Sequence, residues 1–138
     1  MLDSIDQKLG TLRNAMNLRS YRQELLATNI ANGDTPNYKA RDFDFKAALD
    51  NATSGRGSFA MAQTSPRHLT GNNVNGIGNT PAGVDVLYRS EYQANVDGNT
   101  VNIDVERSAF AENSVQLESA MTLIHEEFRR LQTAIQGQ

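Results

Sequence analysis

The stretch NIANGDTPNYKARDFDF, residues 29–45, decides how the chain is organised. Before it lies an apolar-periodic segment. Within it, Asn32-Gly33 and then Pro36 end that periodicity abruptly. Gly33 suits the left-handed position that follows a helix C-terminus, and Pro36 discourages Thr35 from remaining helical. The sequence therefore predicts a helix over 1–32, a sharp turn, and an extended arm in which Tyr38, Phe43 and Phe45 are candidate anchors. Asp42 and Asp44 alternate with the two phenylalanines, as in an edge strand.

The helix before this boundary carries two stripes. Leu2, Ile5, Leu9, Leu12 and Met16 follow spacings of 3, 4, 3 and 4, a heptad seam. Arg19 and Gln23 occupy the next seam positions, so the apolar face moves to Leu18, Tyr21 and Leu25, roughly opposite the first at 3.6 residues per turn. Leu26 and Ile30 return towards the original side. A helix that is apolar on two sides requires neighbours on two sides. Ser4 with Gln7 fits a capping box at its start. Gly10 in its interior costs about 1 kcal/mol relative to alanine.

A second helix is expected over 104–138, capped by Asn102 or Asp104 and ended by Gly137. Phe110, Ser114, Leu117, Met121, Ile124, Phe128, Leu131 and Ile135 keep alternating 4 and 3 spacing along it. Such a stripe fits either the core of an antiparallel helical pair or a coiled coil between molecules. Glu126 can reach Arg129 and Arg130 on its exposed face.

Between the helices, residues 33–103 hold all three prolines and eight of the ten glycines but only 13 of the 30 Leu, Ile, Val and Phe residues. This middle region has little with which to build a deep core. Short strands are expected at 58–64 and 84–92, the latter with alternation at Val84, Val86 and Tyr88. A turn is expected at Asp97-Gly98. The fold class that follows is mainly α: long terminal helices forming a coiled-coil-like pair around an irregular middle with a few short β-strands.

Composition narrows function. The formal charge of −3 gives no basic face for nucleic acid. Residues 1–32 have a net charge of +1 and residues 104–138 one of −3, which weakly favours the two ends lying together. There is no cysteine, hence no disulfide or thiolate chemistry. The first residues, MLDSIDQKL, lack the basic and apolar regions of a cleaved signal peptide. No apolar run approaches the ~18 residues of a membrane span.

Catalytic and metal chemistry find no foothold. His68 and His125 are isolated, and His125-Glu126-Glu127 lacks a second histidine one turn away. Gly76-Ile77-Gly78 begins like a phosphate loop but has no glycine at position 81. No serine or threonine stands in a nucleophile-elbow context. Asn51-Ala52-Thr53 matches a glycosylation triplet of a kind that chance produces often. The expectation is a protein that is not an enzyme and takes no cofactor or metal.

One resemblance gives these patterns a meaning. Asn29, Ile30, Ala31 and Asn32, followed by Thr35-Pro36 and Tyr38-Lys39, resemble the N-terminal motif of the bacterial flagellar axial proteins, the rod and hook family. A second match, DGNTVNIDVERSAFAENSVQLESAMTLI over residues 97–124, is similar to proximal rod members, as is Arg67-His68-Leu69. Asn37 departs from the glycine that many axial proteins carry between Pro and Tyr; asparagine tolerates positive φ better than other side chains. Tyr92-Gln93-Ala94-Asn95 echoes a segment that other axial proteins carry on the C-terminal helix, here beside the Asp97-Gly98 turn.

The resemblance implies a structural subunit of the proximal rod of the flagellar basal body, needed for motility. It implies export without a cleaved signal peptide through the flagellar type III apparatus to the periplasmic rod. It also implies terminal helices that pack against copies of the chain, other rod proteins and the junction protein between rod and MS ring. The rival reading is a cytoplasmic helical-hairpin adaptor or secretion chaperone, which accounts for the seams but not for the two long motifs.

Overall fold

A computed structural model describes residues 2–54, 81, 84–89 and 96–137, with side chains from residue 5 onward. The expected strand at 58–64, His68, Arg67-His68-Leu69, Gly76-Ile77-Gly78, Tyr92 to Asn95 and the side chain of Leu2 lie outside the described residues. The protein is mainly helical. Helix α1 is Leu2–Ala31, strand β1 Arg41–Asp42, helix α2 Phe45–Thr53, strand β2 Leu87–Tyr88 and helix α3 Ile103–Gln136.

The two long helices run antiparallel. Arg19 and Gln23 of α1 bond Asn113 and Ser114 of α3. One turn and a half further along α1, Asn29 reaches back to Glu106. Position 33 lies against Ile103. Residue numbers rise on one helix as they fall on the other. Carried in the other direction, the same register sets Met16 level with Leu117 and Leu9 level with Ile124, all half-buried.

The second stripe of α1 has the neighbour it requires. Leu18 and Leu25 form the core with Phe43, Ala48 and Val84, and Tyr21, Phe45, Leu49 and Val86 pack around it. The Tyr21 and Phe43 rings lie 5.8 Å apart. Leu26 is buried as well.

Helix α2 was not expected. Asp44 is its N-cap, accepting from the Lys46 and Ala47 amides at 2.9 and 3.2 Å. Asp44 thus belongs to a helix start, not to strand alternation. The expected strand at 84–92 contains β2, which pairs antiparallel with β1 in the register Arg41↔Tyr88 and Asp42↔Leu87. Val84 is buried, but Tyr88 is exposed, because the alternation stops where the pairing begins.

Two further expectations change. Helix α1 starts at Leu2, so Ser4 lies inside its first turn and not at the residue before it. Gly33 is not left-handed; the positive-φ residues near this boundary are Asn37 at 60° and Gly98 at 67°. Asn37 accordingly takes the left-handed conformation that asparagine tolerates better than other side chains. Of the two candidate caps for α3, Asn102 is the one used, accepting from the amides of Asp104 and Val105. Gly137 ends the helix at φ 71° as expected.

Candidate assembly site: a polar joint and an exposed apolar strip

The motif at the end of α1 builds a joint. Asn29 is fully buried and uses its whole amide. Its Nδ2 donates to the Arg41 carbonyl at 2.8 Å and to Glu106 Oε2 at 3.1 Å. Its Oδ1 accepts from the Arg41 amide at 3.1 Å and from the Tyr38 hydroxyl at 3.2 Å. One side chain thereby ties α1 to the arm and to the first turn of α3. Only a carboxamide, which both donates and accepts, can satisfy this set.

A second asparagine works from the other side. Asn99 donates through Nδ2 to the carbonyls of Asn32, Gly33 and Thr35 at 2.8–3.0 Å, and its Oδ1 accepts from the Val101 amide at 2.8 Å. These carbonyls belong to the turn that follows α1, and a side chain some 66 positions away supplies their donor. Gly33 has a steric reason rather than a conformational one. A Cβ there would meet Ile103 Cγ1 at 2.9 Å and Cδ1 at 3.0 Å, so glycine lets α3 begin against the end of α1. Ile30 and Thr28 flank this contact half-buried, Ala31, Thr35 and Pro36 face solvent, and Asn32 donates to the Thr28 carbonyl.

The arm is pinned along its length. The Asn37 amide donates to the Asp97 carbonyl at 2.9 Å and the Thr100 amide to the Tyr38 carbonyl at 3.1 Å. The Ala40 amide reaches Thr100 Oγ1 at 2.8 Å, and Lys39 Nζ reaches the Gly98 carbonyl at 2.9 Å. Phe43 is buried in the core of its own chain. Phe45 opens α2 with Arg19 3.5 Å above its ring. The arm expected to reach outward is folded back, because Phe43 finds Tyr21 and Leu25 within reach. Tyr38 is likewise turned inward, to Asn29.

Charge completes the joint. Arg22 holds Asp42 with two bonds of 3.0 Å; Arg89 bonds Asp42 at 2.6 Å and Glu106 at 2.5 Å. Burial pushes the Asp42 carboxyl up, but hydrogen bonds from Arg22, the Phe43 amide and Arg89, with the charge of Arg22, hold it below the usual carboxylate range. The bond to Asp42 raises Arg22 in turn, whereas burial and then the charge of Arg22 lower Arg19.

The helix seams come out differently on the two helices. On α1, Ile5, Leu9, Leu12 and Met16 are half-buried. The seam does not leave α3 at Arg19 and Gln23; it turns polar. Buried Asn113 donates to the Arg19 carbonyl at 2.9 Å and to Gln23 Oε1 at 2.6 Å, while Gln23 donates to Ser114 Oγ at 2.6 Å.

That polar layer sets the rotation of α3. Its less exposed positions run through Glu106, Phe110, Asn113, Leu117, Ala120, Ile124, Glu127 and Leu131. Phe110, Leu117, Ile124 and Leu131 of the expected stripe are among them. Met121, Phe128 and Ile135 are not: they remain 43%, 56% and 85% exposed. Drawing Asn113 inward turns these three outward as a strip with seven-residue spacing. Leu123 and Val115 are also exposed on α3. Arg130 pairs with Glu127 at 3.3 Å and more loosely with Glu126 at 3.9 Å.

Among the described residues no group of three or more His, Cys, Asp or Glu side chains is placed to hold a metal ion. No helix among them is long and apolar enough to cross a membrane. The functional residues that sequence reasoning missed are Asn99, Asn113, Arg89 and Glu106. Three of them fall in the 97–124 motif, which was the available signal.

Comparison with known proteins agrees with the motifs that build this joint. A family described as flagella basal body rod protein matches residues 9–39, from the first seam of α1 to the pinned arm. Over 141 residues, the chain is 42% identical to the flagellar basal body rod protein FlgB of Salmonella typhimurium, covering 99% of each chain. It is 36% identical to the Escherichia coli FlgB protein over 141 residues with the same coverage. To that of Cereibacter sphaeroides it is 40% identical over 131 residues, with 95% of each covered.

Proposed function

We propose that this chain, which belongs to the FlgB family of flagellar basal body rod proteins and is a structural subunit of the rod, assembles by burying the apolar strip of α3 against neighbouring subunits. The observation that carries the proposal is the exposure of Met121, Phe128 and Ile135 at 43%, 56% and 85%. Fully covering such side chains is worth about 1.5–3 kcal/mol each. A helix spanning 34 residues that leaves such a hydrophobic strip in water is built to receive a partner.

The half-buried α1 seam, Ile5, Leu9, Leu12 and Met16, would be completed by the same packing. The joint at Asn29 and Arg89 would keep the two helices in fixed register while their far ends engage neighbours. The partners would be other rod proteins, copies of this chain, and the junction protein linking rod to MS ring. In this reading the chain stands in the proximal, periplasmic rod. It arrives unfolded through the flagellar type III apparatus without a cleaved signal peptide. It works by assembly and not by catalysis. The adaptor or chaperone reading is not favoured, since similarity to rod proteins extends over nearly the whole chain.

Phe128→Asp tests the reading. The purified variant should melt within about 0.5 kcal/mol of the wild type, as exposed substitutions do, while swimming and recovery of the chain in basal bodies are lost. Normal swimming by this variant would refute the strip as an assembly surface.

A further inference from the structure

The structure points to a second property, independent of the α3 strip. We propose that residues 84–89 are a strap that closes the joint through Arg89, and that its release parts the molecule along one internal plane. On one side of the plane lie α1 and the arm. On the other lie the strap, residues 97–100 and the first turn of α3.

The two sides differ in how they are held. Within the first side, Asp42 keeps two bonds from Arg22, and Asn29 holds both the amide and the carbonyl of Arg41. These contacts do not involve the strap. Across the plane, the strand pairing is two residues long, and its Leu87 and Tyr88 side chains face solvent. A pairing so short is not stable by itself. What fastens the strap is buried Val84 at one end and Arg89 at the other, whose amide donates to the Ala40 carbonyl at 2.8 Å.

Arg89 is also the guanidinium that meets Glu106. Glu106 is only 1% exposed, and a buried charge deprived of its partner is strongly unfavourable. Without Arg89, the donor left to its carboxylate among the described residues would be the amide of Asn29. A carboxylate left so is relieved by reaching water, and for Glu106, 1% exposed, that requires the first turn of α3 to lift from α1. Asp42 suffers no such loss, since Arg22 stays with it. Loss of one strap residue therefore frees the α3 side while leaving the arm on α1.

Amide hydrogen exchange on the full chain carrying Arg89→Met tests this. Beside the side-chain bonds of Asn99, Lys39, Asn29 and Arg89, four bonds with a backbone amide as donor cross the plane: Asn37 to Asp97, Ala40 to Thr100, Thr100 to Tyr38, and the residue-89 amide to Ala40. The amides of residues 37, 40, 89 and 100 should exchange at least tenfold faster and by a common factor. The Arg41 amide, bonded within the first side, should stay within about twofold of wild type. Acceleration at residue 89 alone would overturn the proposal, because the strap would then peel without opening the plane. So would equal acceleration at Arg41 and along the helices, which is global unfolding. Arg89→Lys guards against a variant that fails to fold: one ammonium cannot hold both carboxylates as the guanidinium fork does. It should produce a smaller acceleration of the same four amides; no change at all would also overturn the proposal.

Discussion

Replacing Asn29 with alanine should remove the joint that orders this fold. The side chain is fully buried and makes four hydrogen bonds. Two go to the backbone of Arg41, at about 1 kcal/mol each. The bond to the Glu106 carboxylate is charge-assisted and contributes about 1.5–3 kcal/mol. The Tyr38 hydroxyl belongs to a half-buried residue and can turn to water, so it adds little. The sum is about 4 kcal/mol, a large part of the stability of a domain this size. With a urea dependence of about 2 kcal/mol/M, the unfolding midpoint should fall by about 2 M. Asn29→Asp serves as the control of shape. It keeps the acceptor for the Arg41 amide but turns a second acceptor towards the Arg41 carbonyl and Glu106. Its deficit should equal or exceed that of alanine at pH 7. It should shrink in acid, because repulsion and burial raise the introduced carboxyl, which becomes a donor again once protonated. A midpoint shift below about 0.5 M for Asn29→Ala would refute the reasoning that one amide holds three segments together.

Other consequences follow from single contacts. Gly33→Ala places a Cβ 2.9 Å from Ile103 Cγ1 and should cost about 1–3 kcal/mol; calorimetry of the double variant with Ile103→Ala should show a smaller cost than the two added separately. Gly10→Ala puts its Cβ where nothing lies within 4 Å, and should stabilise the isolated chain by about 1 kcal/mol in the same assay. Asp42 is held below the usual carboxylate range, so its contribution is fully present above the unfolded value of about 3.9. It is lost as pH falls through the lower folded value. An acid titration followed by circular dichroism should therefore show a wild-type transition below about pH 4, with less pH dependence in Asp42→Asn.

Much of this fold was legible because periodicity and stop signals are local. The heptad spacing gave both helices, and Asn32-Gly33 with Pro36 marked the end of the first. What was not legible depends on contacts between distant segments. The rotation of α3 is one case: its apolar stripe names Met121 and Phe128, but the polar layer of Arg19, Gln23 and Asn113 decides which side of that stripe meets α1. Gly33 is another. The sequence suggests a left-handed turn there, whereas the reason for glycine lies 70 positions away at Ile103. Helix α2 was missed because Asp44 alternates with Phe43 and Phe45 as well as it caps Lys46 and Ala47. Phe43 looked like an outward anchor because no sequence pattern says that the arm doubles back onto Tyr21. The motif Asn29 to Lys39 was recognisable as a family mark before its work as a buried joint could be read.

The central claim is that the strip left exposed on α3 becomes a subunit interface in the rod. A photo-crosslinking amino acid at position 128, activated in purified basal bodies, tests it most directly. The account predicts covalent products joining this chain to neighbouring rod subunits, absent when the isolated chain is irradiated. Basal bodies that contain the labelled chain but yield no product with any other subunit would contradict it.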